Sequence, residues 1–345
     1  MEHLIKIAKI PLLEENNNDS ILNIRTGNQC IIDARNRPEP KMLFSEFWHE
    51  GELCICFADT NLGKSILAVQ IADSISKGQN IKGFKLEAKK QMVFYFDFEM
   101  GVKQFQNRYS IEYQNDYIFD DNFFRIELNP DFTDYDNFEI TLFNTIEKSI
   151  ELNDVKILII DNLTYLKTQT TETAKEALPL MKKLKELKLK YNLSILALAH
   201  TPKRDLSKSI SKNDLAGSKH LSNFADSIFS IGESFKEKSI RYLKQIKARA
   251  TEIIFDTENI LICELQKPSN FLMFTFLNYG SEKEHLKPLS KRKSLEIDNA
   301  IIELKKSNPN IYNIEIASRL GKYRVNVGRV LQQNAEIDSN INDMQ

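Results

Sequence analysis

The sequence predicts an α/β fold: a twisted, mainly parallel sheet covered by helices, followed by a small helical module. Three observations carry this. "VKILIIDNL" (155–163) and "LSILALAH" (193–200) are apolar on both faces, as central parallel strands are. The amphipathic stretch 171–192 lies between them, so strand and helix alternate as in βαβ units. "FADTNLGKSILAVQIA" (57–72) passes from a strand into a helix through a short loop of phosphate-binding type.

The elements follow in order. Residues 1–40 are polar and irregular, with "EENNND" and "RNRPEP" as breakers, and are expected to form an N-terminal arm. The core is expected over 41–285. "GELCICFA" (51–58) opens it as a strand, and a helix follows at 63–77. "QMVFYFDFEM" (91–100) reads as a strand, "GVKQFQNRYSIEY" (101–113) as a helix and "FFRIEL" (123–128) as a third strand. After Asp226 the segments "DSIFSIGES", "SIRYLKQIKARAT", "NILICELQ" and "NFLMFTFLNY" read as successive antiparallel strands. A basic linker at 286–294 leads to helices at 295–335 and a tail at 336–345.

The chain has 345 residues, 42% hydrophobic, enough for a sizeable core. Its net charge of −1 gives no global pull toward nucleic acid or membrane, so any such surface is local. The sequence carries no run of about 18 apolar residues, and its first residues make a poor signal peptide, so a cytoplasmic protein without a membrane partner is expected. Cys54 and Cys56 alternate along one strand face and read as packed thiols rather than metal ligands.

Residues Ala58, Asp59, Thr60, Asn61, Leu62, Gly63, Lys64, Ser65 and Ile66 form the candidate nucleotide loop. Backbone N–H groups at the start of the following helix attract phosphate. Lys64 is placed to reach the β- and γ-phosphates, and the Ser65 hydroxyl to bind Mg²⁺. Such loops usually hold more glycine. Here Ala58 is small and passes if its φ is negative, and asparagine is among the best non-glycine residues at φ > 0, so Asn61 preserves the loop geometry. Asp161 ends "KILIID" and is a candidate Mg²⁺ carboxylate; the alternative is a polar end to a buried strand. Glu99 ends the neighbouring strand and is a candidate general base, with Asp97 its rival. His200 ends "SILALAH" and is a candidate γ-phosphate sensor, or a histidine satisfied at the sheet edge.

The loop, then "DFEM" (97–100), "LIIDNL" (158–163) and "LAHTPKR" (198–204), resembles the RecA-type ATPase core over roughly 40–280. The pattern is most similar to hexameric plasmid replication helicases of the RepA type and, more distantly, to DnaB-like helicases. The resemblance implies a RecA-like P-loop fold, ATP with Mg²⁺, a ring of identical subunits, and Glu99 as catalytic base. Many AAA+ proteins place that glutamate directly after the Walker B aspartate; Asn162 stands there, which argues against that class. "YLKQIKARATEI" (242–253) resembles the strand bearing a trans-acting finger, which implies that Lys247 and Arg249 reach nucleotide on an adjacent subunit.

The loop "TPKRDLSKSISKNDLAGSK" (201–219) has five basic residues, among them Lys203, Arg204, Lys208 and Lys212, against two acidic ones. In RecA-type rings such loops face the channel and hold single-stranded DNA. "NIEIASRLGKYRVNVGRVLQQ" (313–333) has a glycine turn between two helices and resembles a helix-turn-helix or winged-helix module. Residues 287–333 carry ten basic and four acidic side chains, and Lys322, Arg324 and Arg329 are candidate DNA contacts. The leading expectation is an ATP-driven DNA motor in replication or transfer of a plasmid or mobile element. The alternatives are a DNA-associated ATPase switch that loads or regulates a partner, and a signalling ATPase acting on proteins.

Overall fold

The computed structural model describes residues 22, 24–133, 136–166, 174–202, 204–215, 218–288, 291–322 and 324–342. Two compact units divide the chain, Met1–Pro40 and Lys41–Gln345. In the first, α1 (Gly27–Arg35) forms where the sequence reading expects irregular chain. The reason is local: the Thr26 hydroxyl accepts from Gln29 N at 3.1 Å, and the Arg25 and Gln29 side chains both hold Asp33.

The second unit begins with a short antiparallel ribbon, β1 (Met42–Phe44) and β2 (Trp48–His49), that buries Phe44, Phe47 and Trp48. Then come β3 (Leu53–Ala58), α2 (Lys64–Lys77), β4 (Val93–Asp97) and α3 (Val102–Arg108). The helix expected through residue 113 stops at Arg108. Residues beyond it fold back as β5 (Ser110–Ile111) and β6 (Asn115–Asp116), with Glu112 and Tyr113 both at positive φ in the turn. Tyr109 thereby packs on Phe105, Phe119 and Phe271, and this burial outweighs helical preference.

The chain continues through β7 (Phe123–Ile126), α4 (Phe138–Asn153), β8 (Ile157–Asp161), α5 (Ala174–Tyr191), β9 (Ser194–His200) and α6 (Ser218–Phe224). Four more strands follow: β10 (Ser227–Glu233), β11 (Ile240–Lys247), β12 (Ile260–Gln266) and β13 (Met273–Gly280). Nine strands make one sheet in the order β13-β12-β11-β10-β3-β9-β8-β4-β7. From β10 to β7 the neighbours are parallel; β10 to β13 run antiparallel. The antiparallel region is thus an extension of the same sheet.

The core has two layers because strand side chains alternate. Leu53, Ile55 and Phe57 face the layer holding Phe143, Leu184 and Leu187 from α4 and α5. Cys54, Cys56 and Ala58 face the layer holding α2. Both thiols are fully buried, and burial pushes them well above the ordinary thiol range, so they pack rather than react.

At the C-terminal end, α7 (Lys291–Ser307), α8 (Asn313–Leu320) and α9 (Arg324–Asn342) share their own core of Ile301, Ile311, Ile316, Ala317, Val327 and Val330. Among the described residues, no helix is long and apolar enough to cross a membrane.

Candidate nucleotide site

Between β3 and α2 the chain has two left-handed residues, Asn61 at φ 63° and Gly63 at φ 95°. Ala58 is not among the positive-φ residues. At Gly63 a Cβ would also stand 2.9 Å from the Phe274 ring of β13, so glycine is required twice over. Phe274 is held in place by Gln70 of α2, whose side-chain amide donates to Phe274 O at 3.0 Å and accepts from Phe274 N at 2.9 Å. The antiparallel extension therefore braces the loop, a role the sequence did not signal.

Thr60, Asn61, Gly63, Lys64, Ser65 and Ile66 line a cavity of about 260 Å³, joined by Glu99, Arg108 and His200. Lys64 is buried and donates to Ala58 O at 2.9 Å and Asp59 O at 3.0 Å. Burial lowers its pKa, while Asp161, Glu99 and Asp59 pull the other way. Its ammonium is parked on loop carbonyls beside the cradle, ready for an anion. Asp59 and Leu62 face a neighbouring recess instead, with Arg204 and Lys238.

The strand tips align by register: Ala58 lies beside His200, and Asp161 beside Asp97. Because β9 intervenes between β3 and β8, the loop and Asp161 flank a crevice at the C-terminal edge, where ligands of open α/β sheets bind. Asp161 accepts from the Tyr95 hydroxyl at 2.7 Å and from the Ser65 hydroxyl. Burial pushes its pKa up to about 6, against the lowering effect of those two bonds. Once ionised, a buried carboxylate next to a hydroxyl is an oxygen pair suited to a hard divalent ion. Among the described residues, no cluster of three or more His, Cys, Asp or Glu side chains is arranged to hold a metal. Mg²⁺ would thus be held by Ser65 and Asp161 together with nucleotide oxygens and water.

Asp97 and Glu99 have different surroundings. Asp97 is buried, accepts from Arg125 Nε at 2.8 Å and caps the following turn through Met100 N at 2.9 Å. Glu99 faces the cavity. Its Oε1 lies 3.4 Å from His200 Nε2 and accepts from Asn162 Nδ2, which itself lies 2.9 Å from His200 Nε2. The His200 contact is the chief influence holding the Glu99 carboxyl below its usual range.

Two residues of this site escaped the sequence reading as participants. Asn162, fully buried, ties Glu99 to His200 and accepts from Thr164 N at 2.8 Å; its side-chain chemistry was visible, its partners were not. Arg108 lines the cavity, and its buried Nη1 has no hydrogen-bond partner among the described residues. Its position at the end of the helix after Glu99 was the available signal.

The other candidates lie elsewhere. Lys203 falls outside the described residues. Arg204 turns inward, donating to Lys208 O at 2.9 Å, while Lys208 and Lys212 are exposed. The basic loop is fastened at its middle. Glu282 Oε1 accepts from Ile210 N at 2.7 Å, Lys244 Nζ donates to Ile210 O at 2.8 Å, and Lys244 and Glu282 form a buried ion pair at 2.6 Å. Lys247 and Arg249 are far from this chain's own loop: Lys247 pairs with Ile228, which pairs with Ile55 near the start of β3. Lys247 Nζ donates to Ser222 O and Ala225 O, and Arg249 pairs with Asp226 at 3.1 Å. Arg324 and Arg329 are exposed on α9, and Lys322 is half-buried just before it.

Sheet order, phosphate cradle and strand-tip acids define a P-loop ATPase with a RecA-like core. A family model described as an AAA domain matches residues 28–205, more than half of the chain, and the chain belongs to that family. Asn162 after Asp161 therefore does not exclude an AAA assignment at the level of the family, contrary to the expectation from sequence; the acid facing the cavity, Glu99, follows β4. Among solved structures, the chain is similar to a KaiC-like protein from the hyperthermophilic archaeon Pyrococcus horikoshii OT3, at 14% identity and a TM-score of 0.44, over 66% of this chain and 90% of that one. No curated protein matches the chain in sequence.

Proposed function

We propose that the protein is an ATP-hydrolysing motor acting on DNA, assembled as a ring of identical subunits and used in replication or transfer of a plasmid or mobile element. The observation that carries this reading is the Glu99–Asn162–His200 cluster. Glu99 and Asn162 lie just past the ends of β4 and β8 and His200 ends β9, and the last two strands run on directly into the chain at 162–173 and 201–219. A γ-phosphate next to His200 and Glu99 competes with these bonds, so its loss moves the residues from which the basic loop departs. Lys208 and Lys212 supply sequence-independent phosphate contact there.

In this reading Lys64 leaves the carbonyls of Ala58 and Asp59 for the β- and γ-phosphates, and Glu99 polarises the attacking water. Arg108 lines the same cavity and has a donor, Nη1, without a partner among the described residues. Mg²⁺, when bound, neutralises developing phosphate charge. Lys247 and Arg249 would act on a neighbour's nucleotide, and to do so they must release Ser222, Ala225 and Asp226.

One observation favours a second reading, a DNA-associated switch that does not unwind. The Lys244–Glu282 pair fastens Ile210, which limits how far the basic loop can travel. Electron microscopy with a non-hydrolysable ATP analogue and single-stranded DNA decides between them. A ring or helical assembly with DNA in its channel supports the motor; an assembly that excludes DNA sinks it.

A further inference from the structure

The three-helix unit α7–α9 is not needed to build the nucleotide cavity, and its surface has a chemistry of its own. From Ile316 to Ala335 the sequence contains no acidic residue but four basic ones, Arg319, Lys322, Arg324 and Arg329. This holds in a chain of net charge −1. The helix pair is joined through Gly321, at φ 61°, with Lys322 N donating to Ala317 O at 2.7 Å. That left-handed stop ends α8 and lets α9 leave in a new direction.

The core fixes which side of α9 is outside. Val327 and Val330 point inward. Arg324, Val325, Asn326 and Arg329 are exposed, and Val325 is 80% exposed. An exposed valine between arginines gains nothing from folding. Beside the start of α9 a recess of about 450 Å³ is lined by Lys305, Asn310, Tyr312, Asn313 and Arg324, with no acidic side chain among its lining residues. Two features therefore select for one ligand: a recess suited to an anion, and a helix face mixing cations, an amide and an apolar side chain.

We propose that α8 and α9 form a duplex-DNA reader, with α9 in the major groove and the recess beside Lys305 and Arg324 seated on a backbone phosphate. A helix of about 10–12 Å diameter matches a major groove about 12 Å wide. Arginine pairs with guanine, asparagine with adenine, and an apolar side chain with the thymine methyl, which accounts for Arg329, Asn326 and Val325 together. A single strand presents no groove to fill, and an acidic protein surface gives no use for Asn326 or Val325. The site is distinct from the loop at 201–219 and does not depend on ATP.

The test measures binding of the full chain, without nucleotide, to a short fluorescent duplex of random sequence across a salt series, with single-stranded DNA of the same length in parallel. Arg324→Ala/Arg329→Ala should weaken duplex binding roughly tenfold or more at low salt and flatten the logarithmic salt slope by about two. Asn326→Ala should leave the slope unchanged and broaden the sequences recovered by selection from a random duplex pool. Thermal unfolding checks that each variant is folded. Duplex binding by the folded double variant with wild-type affinity and slope overturns the proposal and leaves the face to a protein partner. A loss confined to the single strand overturns it as well.

Discussion

Asn61 holds a left-handed φ of 63° where loops of this kind often place glycine, and it does so two residues before Gly63 at φ 95°. Asn61→Gly should therefore keep ATP affinity, whereas Asn61→Val should lower it, because a β-branched residue is a genuine outlier there. Equal affinity for both variants in a titration would show that the loop does not need this conformation. Lys64→Ala should abolish ATP binding. Glu99→Gln should bind ATP and hydrolyse it roughly 10²–10⁴-fold more slowly, the ordinary contribution of a general base. Asp97→Asn should act through the fold, since it removes one of the two carboxylates paired with the half-buried Arg125, Glu127 being the other; its cost is on the order of 1–3 kcal/mol of stability, that of a hydrogen bond to a charged group. The opposite ordering of the two hydrolysis rates would reverse the assignment of the base.

Asp161 gives a pH test at the same scale. Its pKa in the folded chain is raised to about 6 from an ordinary 3.8. The folded state thus holds the proton more tightly, and this residue's contribution to stability falls as pH rises from about 4 to about 6. Asp161→Asn removes the charge that burial disfavours. It should raise the melting temperature at pH 8, by the equivalent of about 3 kcal/mol, and lose that advantage near pH 4. A variant less stable than wild type at both pH values contradicts the account. Mg²⁺ binding should weaken as pH falls through about 6, because the ion competes with that proton.

At the level of elements, the Lys244–Glu282 pair joins β11, the turn at Glu282–His285 and the basic loop at Ile210. Glu282→Gln leaves the Lys244 ammonium buried without a counter-charge. It should cost about 3 kcal/mol and increase hydrogen exchange at residues 207–212; unchanged exchange there would mean that the pair does not fasten the loop. None of this was legible in the sequence, because Ile210, Lys244 and Glu282 are far apart along it and each is unremarkable alone. The parallel strands were legible, because "VKILIID" and "SILALAH" are buried on both faces and no other structure suits them. The strand tips followed, and with them Glu99, Asp161 and His200. The helix expected through residue 113 failed for the opposite reason: its end is decided by Tyr109 packing against Phe271, a contact across 162 positions of sequence. Likewise the four antiparallel strands were visible one by one. Their joining to β3 through β10, and the seating of Phe274 on Gly63, depend on pairing that local pattern does not encode.

For the whole molecule, charge is balanced, and the loop at 201–219 and the helices after 287 each carry a local excess of basic over acidic residues. The placement of Lys247 and Arg249 away from this chain's own cavity makes subunit mixing informative. Arg249→Ala and Lys64→Ala chains, each inactive alone, should recover hydrolysis when combined, at interfaces pairing an intact loop with an intact finger. Absence of rescue at every ratio removes Arg249 from the mechanism.

The central claim is that hydrolysis at Lys64 and Glu99 is coupled to DNA at the loop carrying Lys208 and Lys212. Steady-state ATP hydrolysis, measured with and without single-stranded DNA, tests it most directly. The account predicts that DNA raises the wild-type rate several-fold, that the increase is lost in Lys208→Ala/Lys212→Ala, and that salt suppresses it. A wild-type rate indifferent to DNA, or an increase that survives the double substitution undiminished, contradicts it.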